Sequence, residues 1–153
     1  MNNFTLKESR PKTSTIIWTI FAVIISDMIL VRSATADEFT DAVGTLSRSI
    51  AADIRKSLPV KMTPHATIVA AYVYDGAVTL TINLSYNRET WNHTIAVRKQ
   101  THDEAIREMT KSVTMSMCAG ETKLHIGIGV SFVQRYYFKN GEPHSVITVN
   151  SCK

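Results

Sequence analysis

The chain of 153 residues contains only two cysteines, Cys118 and Cys152, and their positions constrain the fold more than any other feature. Cys118 follows a segment with the pattern of a helix, and Cys152 follows a segment with the pattern of a strand. A bond between them would tie the helix end to the C-terminal strand. It would close a loop of about 35 residues, which chain-entropy arithmetic values at about 4 kcal/mol. The alternative is a pair of buried free thiols.

The N-terminal segment bears on this choice. A polar, basic stretch precedes an apolar run at residues 16–31, and the small residues 34–36 match a signal-peptidase site. We interpret residues 1–36 as a cleaved signal peptide. An uncleaved N-terminal membrane anchor is the alternative, although Asp27 within the run is costly in a bilayer. Either way residues 37–153 are expected in the periplasm or secreted, where an isolated cysteine pair favours a disulfide.

Charge and composition restrict the class of protein. The sequence has 17 basic and 13 acidic side chains, a formal net charge of +4. This surplus is spread along the chain without basic runs interleaved with aromatics, so nucleic acid is not an expected partner. With 44% hydrophobic and 20% charged residues, residues 37–153 are expected to form one globular domain.

Residues 38–57 have the pattern of an amphipathic helix, because apolar side chains recur there at intervals of three and four. The stripe consists of Phe39, Val43, Leu46, Ile50, Ile54 and Leu58. Pro59 and Pro64 predict an extended linker after the helix. We expect the stripe to cover a sheet, with a partner-binding edge as the alternative.

A β-hairpin is the clearest strand pattern. Residues 66–74 are apolar and β-branched, and residues 78–86 alternate between apolar and polar. Asp75-Gly76 between them supplies the positive φ of a two-residue turn.

The next segment, residues 87–98, is less clear, and residues 94–97 have the pattern of a short edge strand. Asn83 and Asn92 stand in glycosylation sequons, a short pattern that arises readily by chance.

The last third predicts a helix and a second hairpin. Residues 101–104 match the pattern of a capping box at the start of a helix that is predicted to end at Cys118. An alternating strand is expected at residues 123–138, where Gly127 and Gly129 leave room for a helix or backbone packed closely against them. An Asn-Gly turn then leads to the strand that ends at Cys152.

These elements predict an α+β domain with an antiparallel sheet of four to five strands, two main helices packed on one face, and one disulfide. Such a sheet leaves its other face or an edge open to solvent or to a partner.

The sequence shows no recognisable catalytic constellation. It has no Gly-x-Ser-x-Gly motif, no metal-ligand spacing among its five histidines, and no carboxylate pair in the predicted strands. His125 and His144, on facing predicted strands, are the one conceivable pair of metal ligands. We therefore expect a protein that is not an enzyme and that needs no metal and no cofactor.

The order of elements resembles the β-class (GspS/AspS-type) pilotins of type II secretion. The resemblance covers about residues 67–153 and consists of the hairpin at 72–86, the helix running into Cys118, the strand at 124–138 and the terminal Ser151-Cys152. It implies a small periplasmic domain with Cys118 and Cys152 joined as a disulfide. It also implies a protein that binds the C-terminal segment of a secretin subunit, protects it and accompanies it to the outer membrane. Pilotins of this class carry a lipobox cysteine at the start of the mature chain, and this sequence has none near Ala36.

Together these observations favour an exported, non-catalytic accessory protein that binds a partner polypeptide in a secretion or conjugation apparatus. The binding surface is expected to be an apolar groove between helix and sheet, lined by Met109, Met117, Ile126, Ile128 and Val130. A secreted inhibitor or immunity-type protein would instead present a protruding loop, such as residues 87–98. A small hydrolase would need a polar pocket with a perturbed histidine or carboxylate. Membrane contact is expected only through the N-terminal segment, and only if it is not cleaved.

Overall fold

The computed structural model describes residues 36–152, so the predicted signal segment lies outside the described residues except for Ala36. These described residues form four helices and five strands. In chain order they are α1 (Ala36–Lys56), β1 (Val60–Thr63), β2 (Ala66–Tyr74), β3 (Ala77–Leu84), α2 (Arg88–Val97), α3 (His102–Met117), α4 (Glu121–Gly127), β4 (Phe132–Tyr137) and β5 (Pro143–Val149).

The five strands form one sheet in the order β1-β2-β3-β4-β5. Three of the four strand pairs are antiparallel, but β3 and β4 are parallel. The predicted α+β class is confirmed, while the sheet is mixed and not purely antiparallel. The reason is the connection between β3 and β4: a parallel pair needs a long crossover, and here α2, α3 and α4 provide it.

The hairpin of β2 and β3 forms as predicted. Tyr74 pairs with Ala77, and both turn residues, Asp75 and Gly76, have positive φ (50° and 73°). The expected linker before β2 is wrong in part, because Val60–Thr63 pairs with β2 as an edge strand.

The predicted edge strand at residues 94–97 is wrong. These residues lie in α2, which begins after the N-cap Asn87, whose side-chain Oδ1 accepts a hydrogen bond from the backbone N–H of Thr90 at 2.9 Å. An Asn cap satisfies one of the free N–H groups of a first helical turn. Trp91 and Ile95 are spaced at i and i+4, which suits this helix.

The predicted strand at residues 123–138 is too long. Its first part forms helix α4, and only Phe132–Tyr137 is a strand. Leu124 and Ile128 satisfy both a two-residue and a four-residue spacing, so periodicity could not separate the two structures. His125 therefore does not lie on a strand facing His144.

The glycines of this segment have different surroundings. Gly129 has φ +97°, and a Cβ there would lie 3.7 Å from ring atom Cε1 of Phe39, so α1 does pack closely against it. Around Gly127 the structure places no atom within 4 Å of such a Cβ, so the expected close packing is absent there.

Helices cover one face of the sheet, as predicted. Apolar residues of α1 and of α3 pack against the same core as the strands. The buried face of β3, β4 and β5 carries Val78, Leu80, Ile82, Leu84, Phe132, Gln134, Tyr136, Ile147 and Val149. The opposite face is more exposed, with Tyr74 and Val146 prominent.

The predicted disulfide is confirmed. Cys118, directly after α3, is bonded to Cys152 beyond β5, with the two Cα atoms 5.5 Å apart. None of the four described helices is both long and apolar enough to cross a membrane.

Candidate functional site

An open cleft of about 540 Å³ lies on the covered face of the sheet, a volume within the usual range for ligand pockets. Helices α2 and α3 form its walls, and strands β3 and β4 contribute its floor. Residues of β1 and of the turn before β2, such as Met62 and His65, border one side.

The apolar part of the α3 wall consists of residues that recur every four positions. Met109, Val113 and Met117 all border the cleft. The helix is positioned by the predicted capping box: Thr101 Oγ1 accepts from the Glu104 backbone N–H at 3.3 Å, and the Thr101 backbone N–H donates to Glu104 Oε2 at 2.7 Å. The hydrogen bonds from Thr101 lower the pKa of the Glu104 carboxyl.

The α2 wall rests on an aromatic stack. Trp91 lies parallel to Tyr86 with ring centroids 6.2 Å apart, and its Nε1–H donates to His102 Nδ1 at 3.2 Å. Trp91 is half-buried, and its ring is covered while its indole N–H has a partner, as a tryptophan in such a position requires. The bond also joins α2 to the start of α3, which links the two walls.

The floor contains a polar pair. Gln134 is only 2% exposed, its Nε2 lies 3.0 Å from Met117 Sδ, and its Oε1 accepts a hydrogen bond from the Tyr136 hydroxyl. Burial, followed by the nearby Tyr86, raises the pKa of Tyr136 to about 12. The hydroxyl therefore keeps its proton and acts as a donor at neutral pH.

His144 has a perturbed pKa and aromatic surroundings. Its ring packs edge-on against Trp91 and Phe138, with centroids 4.7 and 4.8 Å away. Burial, and then the nearby His102 and Arg88, lower the pKa of His144 to about 4. The ring is neutral at pH 7.

His144 does not form a catalytic group with its neighbour Ser145. Its Nδ1 lies 2.7 Å from Ser145 Oγ, but its Nε2 is buried without a partner among the described residues. No carboxylate of the described part of the chain orients the ring, and a pKa near 4 makes it a weak base. The arrangement is that of a packed ring.

The five predicted contact residues do not lie together on one surface. Met109 and Met117 line the cleft. Ile126 and Val130 are core residues, 5% and 0% exposed, and Ile128 is 45% exposed but does not border the cleft. Ile126, Ile128 and Val130 were predicted to share one face of a strand. That strand does not form here, because residues 121–127 are helix α4. A partner-binding role for Met109 and Met117 stays a prediction.

Ile95 and Gln134 are among the cleft residues that the sequence analysis did not predict. Ile95 shares a helical spacing with Trp91, a signal that the strand interpretation hid. Gln134 interrupts the buried alternation of Phe132 and Tyr136, a polar residue at an apolar position. Within residues 36–152 no group of three or more His, Cys, Asp or Glu side chains is arranged to hold a metal ion.

Comparison with known proteins identifies the fold and no more. The chain matches no protein-family profile and no curated protein sequence. Among solved structures it is similar to the pilotin EpsS of the Vibrio vulnificus type 2 secretion system, with a TM-score of 0.60 and 10% identity over 76% of this chain and 97% of that one. It is also similar to the type II secretion pilotin AspS of Vibrio cholerae, with a TM-score of 0.57 and 15% identity over 76% of this chain and 95% of that one.

The chain has the fold of the type II secretion pilotins. A protein of Pseudomonas aeruginosa described as secreted shares this pilotin fold, with a TM-score of 0.59 and 10% identity over 79% of this chain and all of that one. Each of these three structures covers 76% or more of this chain. The structural similarity therefore extends beyond residues 67–153, on which the resemblance in sequence was based. In this chain, the cleft lies between the helical crossover and the sheet of the pilotin fold.

Proposed function

We propose that this chain is an exported, non-catalytic accessory protein of a secretion apparatus, and that it binds a short segment of another polypeptide in the cleft between α2, α3 and the sheet. The observation that carries the proposal is the cleft itself: it is open, lined mainly by apolar side chains, and built on a pilotin fold. Grooves of this kind accept the apolar face of an amphipathic helix or an extended strand.

The proposed occupant is the C-terminal segment of a secretin subunit. Support comes from the two similar structures that are pilotins of type II secretion systems. The methionines of α3 suit such a role, since unbranched thioether side chains adapt to the shape of a peptide. Met109 and Met117 are expected to contact the apolar stripe of the segment.

Two charged side chains at the rim of the cleft are expected to orient the bound segment. Arg98 stands at the α2 side and Glu108 at the α3 side, and both are exposed. Rim charges of this kind influence orientation and association rate more than affinity. A bound segment is expected to place its acidic residues near Arg98.

The two other function classes receive less support. An inhibitor acting through a protruding loop at residues 87–98 is disfavoured, because most of this segment is helix α2 and forms a wall of the cleft. A hydrolase is disfavoured by the surroundings of His144, which has no orienting carboxylate among residues 36–152.

Export is part of the proposal. The disulfide is suited to an oxidising compartment, and residues 1–36 would act as the signal peptide or, if uncleaved, as a membrane anchor. Without a lipobox cysteine, the chain would hold its partner without being anchored by a lipid.

The test is a binding measurement with the exported, purified protein and synthetic peptides that match the C-terminal segments of secretin subunits from the source genome. Ser112→Trp places an indole at the cleft from an exposed position on α3. Lys111→Trp, also exposed but outside the cleft, is the matched control. We expect one peptide to bind the original protein and the Lys111→Trp variant equally, and the Ser112→Trp variant at least about tenfold more weakly, or about 1.4 kcal/mol.

Equal binding by the Ser112→Trp and Lys111→Trp variants would mean that the partner does not bind in the cleft. Failure of every secretin segment to bind would overturn the proposed function, and release of product from a hydrolase substrate library would favour a hydrolase in its place.

A further inference from the structure

Gln134 is a polar residue placed where the sheet is otherwise apolar. It sits in the middle of β4, and its cross-strand neighbours are Leu80 on β3 and Ile147 on β5. Both neighbours are buried, and Gln134 itself is 2% exposed. It also borders the cleft, so its amide is buried in the free protein yet adjacent to the space a partner would fill.

The amide is incompletely hydrogen-bonded. A glutamine side chain offers two N–H donors and one carbonyl acceptor. The carbonyl Oε1 is occupied by the Tyr136 hydroxyl. Within the described residues the only acceptor for Nε2 is Met117 Sδ at 3.0 Å, and a thioether sulfur is a weak acceptor. Among residues 36–152 no oxygen atom receives either N–H.

We propose that Gln134 is the polar recognition point of the cleft, and that its Nε2 donates a hydrogen bond to a side-chain oxygen of the bound segment. The inference rests on the proposed function and specifies its partner. The segment has an apolar stripe interrupted by one Ser, Thr, Asn or Gln, which meets Gln134 on the floor.

The proposal explains how an apolar cleft selects one register. Apolar contacts are non-directional, so a helix lying on Met109 and Val113 gains similar contacts if it shifts by one turn. A buried hydrogen bond forms at one position only, and in any other register the partner's polar group lies unpaired against apolar side chains. Single buried polar residues fix register in coiled coils for the same reason.

Tyr136 contributes by orienting the amide. Because its hydroxyl donates to Oε1, the two ends of the amide are distinguished and the NH₂ group points away from Tyr136. The partner group at this point must therefore be an acceptor.

The experiment compares three proteins with the secretin peptide that binds. Gln134→Met keeps the length of the side chain and removes both N–H donors. Thr79→Val is the matched control, because it removes the hydroxyl of another buried polar residue of the sheet, one that does not border the cleft. We expect about tenfold weaker binding for Gln134→Met, about 1.4 kcal/mol, and binding unchanged within about twofold for Thr79→Val.

Changes in the peptide identify the matching oxygen. Each Ser, Thr, Asn and Gln of the peptide is replaced in turn by an apolar residue. One replacement should weaken binding to the original protein about tenfold and have no further effect on Gln134→Met, as a double-mutant cycle requires.

The inference is overturned if no polar position of the peptide affects binding to the original protein, a result that needs no folded variant. It is also overturned if Gln134→Met binds as tightly as the original protein. In both cases a loss of binding in Ser112→Trp leaves the cleft and its function in place. If the original protein binds no secretin peptide, the proposed function fails and this inference fails with it.

Discussion

The indole Nε1–H of Trp91 on α2 donates a hydrogen bond of 3.2 Å to Nδ1 of His102, the first residue of α3. The two helices belong to the crossover between the parallel strands β3 and β4. The bond joins α2 to the first residue of α3, and it therefore holds the two walls of the cleft together.

Replacing Trp91 by Phe should remove this bond and keep most of the ring packing on Tyr86. We expect a loss of about 1 kcal/mol in the free energy of unfolding, measured by chemical denaturation at pH 7. His102→Ala should cost a similar amount, and the double variant should show little further loss. A fully additive double variant would mean that the two side chains do not interact.

Stability should fall as the pH falls from about 6.5 to about 4, because of His144. Its pKa is lowered from 6.5 to about 4 in the folded protein, so in this window the unfolded chain binds more protons. Protonation then favours unfolding, and the loss levels off below pH 4. The size is about 1–2 kcal/mol, since solvent screens a half-buried ring. His144→Phe should reduce the pH dependence of the midpoint of urea denaturation.

The control for this measurement is His93→Phe, an exposed position on α2. It should keep the dependence of the original protein. The same slope in His144→Phe as in the original protein would mean that the pKa of His144 is the same in the folded and the unfolded state.

Replacing Gly129 or Gly44 by alanine should change the stability of the protein in opposite directions. Gly129 lies between α4 and β4. Gly129 has φ +97°, so Gly129→Ala should destabilise the protein by about 1–3 kcal/mol through backbone strain. Gly44 lies within α1, where a Cβ would meet only Arg48 Nη1 at 3.7 Å. Gly44→Ala should therefore stabilise by up to about 1 kcal/mol. Thermal unfolding of both variants checks the signs, and a neutral Gly129→Ala would contradict the backbone assignment.

Removing the disulfide should destabilise the domain and loosen the α3 wall. Cys118 and Cys152 are 34 residues apart, and a loop of this size predicts a loss of about 3–4 kcal/mol for the Cys118→Ser, Cys152→Ser double variant. Urea denaturation with and without reductant is the measurement. Reductant should lower the midpoint of the original protein to that of the variant, and equal midpoints without reductant would contradict the stabilising role.

Several features followed from residues close together in the sequence. The turn at Asp75-Gly76 needs positive φ at two successive positions, and the capping box of Thr101 and Glu104 is complete within one helical turn. The α1 stripe and the strands beside the turn follow from periodicity alone. The pairing of Cys118 with Cys152 followed from there being only two cysteines and from the expected compartment.

The tertiary structure alone decided what depends on distant contacts. Residues 94–97 and 121–127 have patterns that suit either strand or helix, and packing of α2 and α4 against the core selects the helix. The parallel pairing of β3 with β4 requires the whole crossover to be in place. The cleft, with Gln134 on its floor and Trp91 in its wall, exists because this crossover brings together residues more than forty positions apart, a proximity that no local pattern in the sequence encodes.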